Sequence, residues 1–295
     1  MYSIMISGSA LFTGEELIRD AYVYIKDGII KEIGERSKEM DLHEPSLVIG
    51  GEKRVIMPGL TAIASIASSP IRYYRPSMEK RVRFYRLLSD EELFISSLPS
   101  IYELNMQGIT TILGEAINPS FLVDLKEKVG GNYGVAIPSC VEGFEISPAL
   151  SGRVKISGEG CRGEGIDELS QGYIIFTRRV TYSMSGLENP YEKSEALRKE
   201  AGLAKNVIKE GAEAEIVVFD ASRPPAMMMY KGGEDEVKAL YSLAPRVESL
   251  VVGQELLVDL GEHLRIGGKQ LKVAEELGER VSRDGRIKRA LKAKE

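Results

Sequence analysis

Residues 88–113 read LSDEELFISSLPSIYELNMQGITTIL, and this stretch decides the class of fold. Ser89 with Glu92 three residues later is a capping box, and apolar residues then recur at helical spacing as far as Gly108. The β-branched run that starts at Ile109 is typical of a buried strand. A helix followed directly by a buried strand is the repeating element of a parallel α/β fold.

The same alternation continues on the C-terminal side of this stretch. The sequence predicts a further helix over 121–129 and further strands over 133–138, 153–157 and 173–177. The glycine-rich stretch 158–165 is interpreted as a loop, because it lacks the Lys-Ser/Thr pair of a phosphate-binding loop.

Both ends of the chain have the pattern of β structure. Asp27-Gly28 separates an apolar run over 21–25 from another that starts at Ile29, which is typical of a tight hairpin. Strand-like runs return late in the sequence, over residues 215–219, 249–252 and 255–258. Two β-rich ends therefore enclose the α/β segment.

The composition is that of a globular protein. The chain has 295 residues, 43% of them hydrophobic, which is enough to bury one large core or two. Its net charge of -5 gives no general attraction to nucleic acid or to anionic membranes. No leader-like start and no run of about 18 apolar residues occurs, so we expect a cytoplasmic protein without membrane segments. Abundant Lys, Arg and Glu without Trp is typical of proteins from heat-loving organisms.

Cys140 and Cys161 are the two cysteines of the chain. Two cysteines are too few for a zinc cluster or a disulfide framework, so two reduced thiols are the expected state. A bridge between them is the alternative, which a heat-loving source would favour.

Three segments, in this order, resemble the amidohydrolase superfamily, which includes urease, dihydroorotase, the chlorohydrolases and the nucleobase deaminases. The first segment has two parts. Residues 14–34 resemble the family's opening β-hairpin, and residues 55–60 resemble the strand that enters the family's barrel. The second, over 88–112, resembles the first barrel helix and the second barrel strand. The third, over 211–220, is similar to the family's Gly-Lys-x-Ala-Asp-Leu-Val segment, without its lysine and aspartate.

The resemblance implies an α/β fold in which a truncated or degenerate TIM-type (β/α) barrel is inserted into a β-sandwich made from both chain ends. The expected division is a sandwich of residues 1–57 and 201–268, a reduced barrel over 58–200, and a C-terminal helix and basic tail over 269–295. About 140 residues lie between Pro58 and Ser194, whereas a complete barrel takes about 250. Several β/α units are therefore expected to be missing.

Enzymes of this family bind metal ions through a His-x-His pair on the first barrel strand, where residues two apart share a face. Ala64 and Ile66 stand at the two histidine positions, and neither side chain can bind a metal. The chain's two histidines, His43 and His263, lie in the segments expected to form the sandwich. The sequence therefore predicts that the metal centre is absent and that no cofactor is bound.

Any surviving pocket is expected at the C-terminal ends of the barrel strands, where such barrels build their active sites. The candidates are residues that follow predicted strands there, and one lysine of the type that some relatives carboxylate. They are Glu115, Cys140, Glu142, Glu145 and, as the lysine, Lys155. Glu115 and Glu142 could act as an acid and base pair if burial held them in different protonation states. The competing interpretation is that both face water or cap helices, and that Cys140 is an inert thiol.

Two segments concentrate basic residues. The cluster from Arg72 to Arg86 mixes cations with aromatic rings, a combination that can bind phosphates and stack on bases. The alternative, which the acidic net charge favours, is a helix that packs through Val82 and Tyr85 with solvated arginines. A helix is predicted over 269–282, and the basic run 286–294 is interpreted as its exposed end.

The sequence leads to one main hypothesis and two alternatives. The main one is an amidohydrolase-like, non-catalytic protein that binds a small molecule or assembles with itself or another protein. The first alternative is a metal-independent hydrolase that acts on C–N bonds through Glu115 or Glu142. The second is an RNA-binding module that uses the Arg72 to Arg86 cluster, although the net charge makes nucleic acid the less expected partner.

Overall fold

The computed structural model describes residues 2–36, 44–74, 76–142, 146–158, 161, 163–167, 189–243 and 246–292. Within these residues the strands are β1 (Ser3–Phe12), β2 (Leu17–Lys26), β3 (Ile29–Glu35), β4 (Leu47–Pro58), β5 (Leu60–Ala64), β6 (Ile109–Glu115), β7 (Asn132–Pro138), β8 (Arg153–Ser157), β9 (Ile166–Asp167), β10 (Glu215–Asp220), β11 (Val247–Val252), β12 (Glu255–Asp259) and β13 (Glu262–His263). The strand predicted over 173–177 lies outside the described residues.

The helices of the described residues are α1 (Met78–Tyr85), α2 (Asp90–Asn105), α3 (Ser120–Val129), α4 (Pro190–Glu200), α5 (Glu234–Lys238), α6 (Leu240–Leu243), α7 (Gly268–Arg283) and α8 (Gly285–Lys292), with 3-10 segments at Ile66–Tyr74 and Met229–Lys231. The predicted capping box begins α2: the Ser89 hydroxyl accepts from the Glu92 amide at 3.2 Å, and the Ser89 amide donates to the Glu92 carboxylate at 3.0 Å. None of the described helices is long and apolar enough to cross a membrane.

Strands from both ends of the chain form one eight-stranded sheet, in the order β13-β12-β11-β10-β4-β1-β2-β3. The sequence predicts a sandwich from these residues. The structure shows that hydrogen bonds join all eight strands into one continuous sheet, and the sandwich stays a prediction. The reason lies in β4, which pairs in parallel with β1 on one side and antiparallel with β10 on the other. The long β4 strand thus connects the N-terminal strands to the C-terminal ones.

The centre of this sheet is buried on both faces. Ile56 pairs with Val218, and both belong to a core formed mostly by residues of this sheet. The next pair along, Met57 and Val217, points the other way into the larger core shared with the second sheet. Side chains alternate with period two, so strands with two buried faces show continuous apolar runs instead of polar alternation.

The second sheet contains five parallel strands in the order β5-β6-β7-β8-β9 and curls as a half-barrel. The chain enters it from β4 through Gly59, whose amide donates to the Glu215 carbonyl at 2.8 Å. A Cβ at Gly59 would collide with the side chain of Thr110, so only glycine fits at this crossing.

The basic run near the C-terminus forms a helix of its own, which corrects the expectation of an exposed helix end. Helix α7 stops at Asp284, whose backbone is extended and whose carboxylate accepts from the Arg286 amide at 2.7 Å. Helix α8 then buries Ile287 and Leu291, one turn apart on one face, and packs on α1.

Candidate functional site

Glu115 ends β6 inside the protein, and its side chain has no exposed surface. Arg81 of α1 reaches it: Nε lies 3.1 Å from Oε1 and 2.8 Å from Oε2. The guanidinium also donates through Nη1 to the Pro76 carbonyl at 3.2 Å. The strand-end carboxylate is therefore paired with a buried cation of the same chain.

Three hydroxyl groups complete this arrangement. The Ser65 hydroxyl donates to Oε2 of Glu115, and the Tyr85 hydroxyl lies 3.4 Å from the same oxygen. Ser68 and Tyr85 share a further hydrogen bond of 2.6 Å. Burial, and secondly the negative charge of Glu115, raise the pKa of Tyr85 well above its usual value, so the phenol stays neutral. We call Ser65, Ser68, Arg81, Tyr85 and Glu115 the strand-end cluster.

The burial of Arg81 corrects the expectation that the arginines of α1 are solvated. Val82 and Tyr85 pack inward as predicted, and Arg81 lies on the same inner side, only 1% exposed. An arginine in a basic run normally faces water, but Glu115 supplies a buried partner for this one. Of the neighbouring arginines, Arg83 pairs with Glu79 one turn earlier on α1.

The two positions that resemble the family's His-x-His pair lie in apolar surroundings. Ala64 and Ile66 are fully buried. A Cβ at Gly114 would lie 3.0 Å from Cδ1 of Ile66 and 2.7 Å from the Leu122 side chain, so Ile66 packs tightly against β6 and close to α3.

Two of the other candidate residues, Glu142 and Lys155, are exposed, and neither forms a hydrogen bond with Glu115 among the described residues. Glu142 lies beyond the end of β7 and is exposed. Strand register places Glu115, Ala136 and Val154 on one face of the half-barrel sheet. Lys155 follows Val154 in β8 and therefore points to the opposite face, where it is exposed. Glu145 lies outside the described residues.

Cys140 and Cys161 form a disulfide bond, so the expectation of two reduced thiols is wrong. The cysteines follow β7 and β8, which are neighbours in the sheet, with Pro138 paired to Ile156. The ends of adjacent parallel strands lie at the same edge, and Gly158, just beyond β8, pairs with Cys161 in an isolated antiparallel bridge. These two features bring the Cα atoms to 5.0 Å, within the range that a disulfide requires.

A second buried ion pair lies near the beginning of β6, and the sequence-based candidates do not include it. Arg198 of α4 binds Glu215 of β10 through two parallel hydrogen bonds of 3.0 Å each. The Thr111 hydroxyl donates to Oε2 of Glu215 at 2.7 Å, and the guanidinium also reaches Thr61 at 3.0 Å. The one signal in the sequence is a carboxylate, Glu215, at the start of an apolar strand.

The two ion pairs contact the same face of one strand. Thr111 and Glu115 are four residues apart on β6, so their side chains point to the same side. Four residues of extended chain span about 13 Å. This face is therefore occupied by Arg198 near one end of the strand and by Arg81 at the other.

Both ring nitrogens of His263 form hydrogen bonds within the fold. His43 lies outside the described residues. Nε2 of His263 lies 3.1 Å from the Asn105 side-chain oxygen, and Nδ1 accepts from the amides of Arg265 and Ile266, both at 3.1 Å. Its ring stacks on Tyr102 with centroids 6.0 Å apart. Burial lowers the pKa of His263 to about 4, so the imidazole is neutral and links β13 to α2.

The residues present do not fit the metal centre that the fold family implies. The two positions that match the histidine pair are Ala64, the last residue of β5, and Ile66, the first residue of the following 3-10 segment, and neither side chain can bind a metal. The Glu115 carboxylate is hydrogen-bonded to Arg81. Among the described residues, no three His, Cys, Asp or Glu side chains are grouped so that they could hold a metal ion. We therefore assign no step to a metal.

Comparisons with solved structures identify the fold. The chain is similar to a zinc-bound adenosine deaminase from Xanthomonas campestris, with a TM-score of 0.66 and 10% identity over 95% of this chain and 99% of that one. It is similar to a zinc complex of atrazine chlorohydrolase from Arthrobacter aurescens TC1, with a TM-score of 0.65 and 12% identity over 93% and 100%. An amidohydrolase from a Sargasso Sea environmental sample matches with a TM-score of 0.57 and 11% identity over 95% and 100%.

This chain has the fold of the amidohydrolase superfamily. The structure comparisons thus confirm, for the fold, the resemblance to this superfamily that the sequence predicts. No protein-family profile and no curated protein sequence matches the chain. At 10% to 12% identity these structural similarities establish the fold and not an activity.

Proposed function

We propose that this chain is a non-catalytic protein of the amidohydrolase fold whose role is assembly, with a second copy of itself or with another protein. The observation that carries the proposal is the Arg81–Glu115 pair. A buried, fully bonded ion pair stands at the strand end, where barrels of this kind build their reactive sites.

The same pair argues against hydrolysis through strand-end carboxylates. A general base must lie within hydrogen-bonding reach of the proton that it removes. The Glu115 carboxylate has no exposed surface and already accepts from Arg81 and Ser65. Glu142 is exposed and shares no hydrogen bond with Glu115 among the described residues, so nothing couples the two carboxylates as an acid and base pair.

Exposed apolar side chains support assembly. Leu260 and Leu264 flank β13, the two-residue strand at one edge of the eight-stranded sheet, and are 69% and 53% exposed. Apolar side chains beside a sheet edge are typical of surfaces that contact another chain.

Metal analysis and activity assays test the non-catalytic part of the proposal. Protein purified from cells grown with added zinc, iron, nickel and manganese should contain far less than one metal ion per chain. It should turn over neither adenosine nor atrazine. Turnover that disappears in Glu115→Gln and persists in the exposed control Glu142→Gln would instead establish a hydrolase, provided that circular dichroism shows both variants to be folded at the assay temperature.

Sedimentation velocity across a range of protein concentrations tests assembly. We expect a species heavier than one chain that Leu260→Lys combined with Leu264→Lys dissociates. The control is Leu243→Lys, which changes a leucine that is 42% exposed in α6. The assembly role is contradicted if the wild type stays monomeric and if its sedimentation coefficient also does not increase in mixtures with a protein of the same fold.

A further inference from the structure

Two basic segments that lie about 200 residues apart in the sequence are brought together by the packing of α8 on α1. Together they carry a set of cations on their outer sides, which we call the α1/α8 basic surface: Lys80, Arg83, Arg86, Arg286, Lys288 and Arg289. Arg86, Lys288 and Arg289 are exposed, and Lys80 is partly exposed.

Acidic neighbours neutralise only part of this surface. Arg83 pairs with Glu79, and Arg286 pairs with Asp284 at 3.0 Å. The nearby Glu92 is engaged by Arg280 of α7 at 2.8 Å. The remaining cations have no acidic partner among the described residues: Lys80, Arg86, Lys288 and Arg289. The chain as a whole has a net charge of -5, so these four cations contrast with its acidic average.

We propose that the α1/α8 basic surface binds the phosphate backbone of single-stranded nucleic acid, without base specificity. Guanidinium groups suit phosphate because they offer several donors in a planar fork. Tyr74, four residues before α1 and 53% exposed, offers a ring on which an unpaired base can stack.

The composition of the surface favours nucleic acid over a protein or a membrane. Protein interfaces usually have an apolar centre, and amphipathic helices insert apolar side chains into lipid. The apolar face of α8 is already used, because Ile287 and Leu291 are buried. Polar, strongly positive surfaces are characteristic of nucleic-acid contacts.

The expected binding is weak and depends on salt. Four cations without acidic partners would neutralise about four phosphates, so the logarithm of the binding constant should fall against the logarithm of salt concentration with a slope of about −3. Sequence-independent contacts of this kind have dissociation constants of about 10⁻⁴–10⁻⁶ M at physiological salt.

Fluorescence anisotropy of a labelled 20-nucleotide single-stranded RNA with the full chain at low salt tests the proposal. The triple variant Arg86→Gln, Lys288→Gln and Arg289→Gln should weaken binding at least tenfold. A matched control, Lys31→Gln, Lys199→Gln and Lys209→Gln, removes the same charge from exposed positions elsewhere and should change binding less than twofold. Circular dichroism melting checks that both variants fold.

Four outcomes would overturn the proposal. The first is a wild type that does not bind RNA at low salt. The second is equal weakening by both triple variants, which would mean that net charge and not this surface is responsible. The third is retention by vesicles containing phosphatidylserine without retention of RNA. The fourth is competition by a polyglutamate peptide as strong as that by unlabelled RNA of equal charge, which would indicate an acidic protein partner.

Discussion

Nε of Arg81 lies 2.8 Å from Oε2 of Glu115, and the two side chains are 1% and 0% exposed. A positive charge thus stands beside the carboxylate that ends β6, and it belongs to the protein itself. Burying two charges costs several kcal/mol per ion, and hydrogen bonding must offset that cost. Arg81, Ser65 and Tyr85 supply these bonds to Glu115.

Replacing Arg81 by methionine should lower the free energy of unfolding by about 3–5 kcal/mol, because it leaves the Glu115 carboxylate buried without a counter-charge. Urea denaturation at pH 7 measures the change. The double variant Arg81→Met with Glu115→Leu removes both charges and should recover most of the loss. A double variant as unstable as the single one would contradict the importance of the unpaired charge.

The Arg198–Glu215 pair should behave as a separate stabilising unit. Arg198→Lys and Arg81→Lys keep the charge but lose the planar fork of donors, and each should cost about 1–3 kcal/mol. Because the two pairs lie about 13 Å apart along β6, the double lysine variant should lose the sum within about 0.5 kcal/mol. A larger coupling energy in denaturation experiments would mean that the pairs act as one network.

His263 should make stability fall below neutral pH. Its pKa is lowered from the ordinary 6.5 to about 4 in the folded chain. Between pH 6.5 and about pH 4, His263 is therefore protonated in the unfolded chain and neutral in the folded chain. The stability that depends on neutral His263 is fully present above pH 6.5 and is lost as the pH falls below it. At pH 5 the loss should be about 2 kcal/mol.

Urea denaturation at pH 7 and pH 5 checks this pH dependence. The control is His263→Gln, whose side chain does not titrate. If the wild type and His263→Gln lose the same stability between these pH values, other groups cause the effect.

The Cys140–Cys161 disulfide should stabilise the chain by about 3 kcal/mol, since it closes a loop of about 20 residues in the unfolded state. The double variant Cys140→Ser with Cys161→Ser should unfold at correspondingly lower urea concentration. A reducing agent should destabilise the wild type and leave this variant unchanged. Detection of two free thiols in unfolded, unreduced wild type would contradict the bond.

The regular elements of the fold could be predicted because they depend on short segments. Ser89 and Glu92 lie one turn apart, and their capping box forms as predicted. The strand predicted over 153–157 is β8. The β structure at both ends was predictable from apolar runs, whereas the joining of all eight strands in one sheet depends on the two-sided pairing of β4. The expected domain boundaries remain predictions.

The candidate site was predictable only in part, because its contacts link distant positions. Glu115 could be recognised as a strand-end carboxylate, but Arg81 lies 34 residues earlier in a run that looks solvated. The Cys140–Cys161 bond depends on β7 and β8 being neighbours.

The sequence by itself determined which side-chain donor atoms are present at the two positions that match the histidine pair: the side chains of Ala64 and Ile66 carry no lone pairs in any fold. It also determined the local elements, since backbone hydrogen bonding and side-chain periodicity act over a few residues. Only the tertiary structure decided that Arg81 binds Glu115 and that α8 packs on α1. Pairings between distant residues depend on which faces the packed elements turn toward each other, and the order of residues along the chain does not specify this locally.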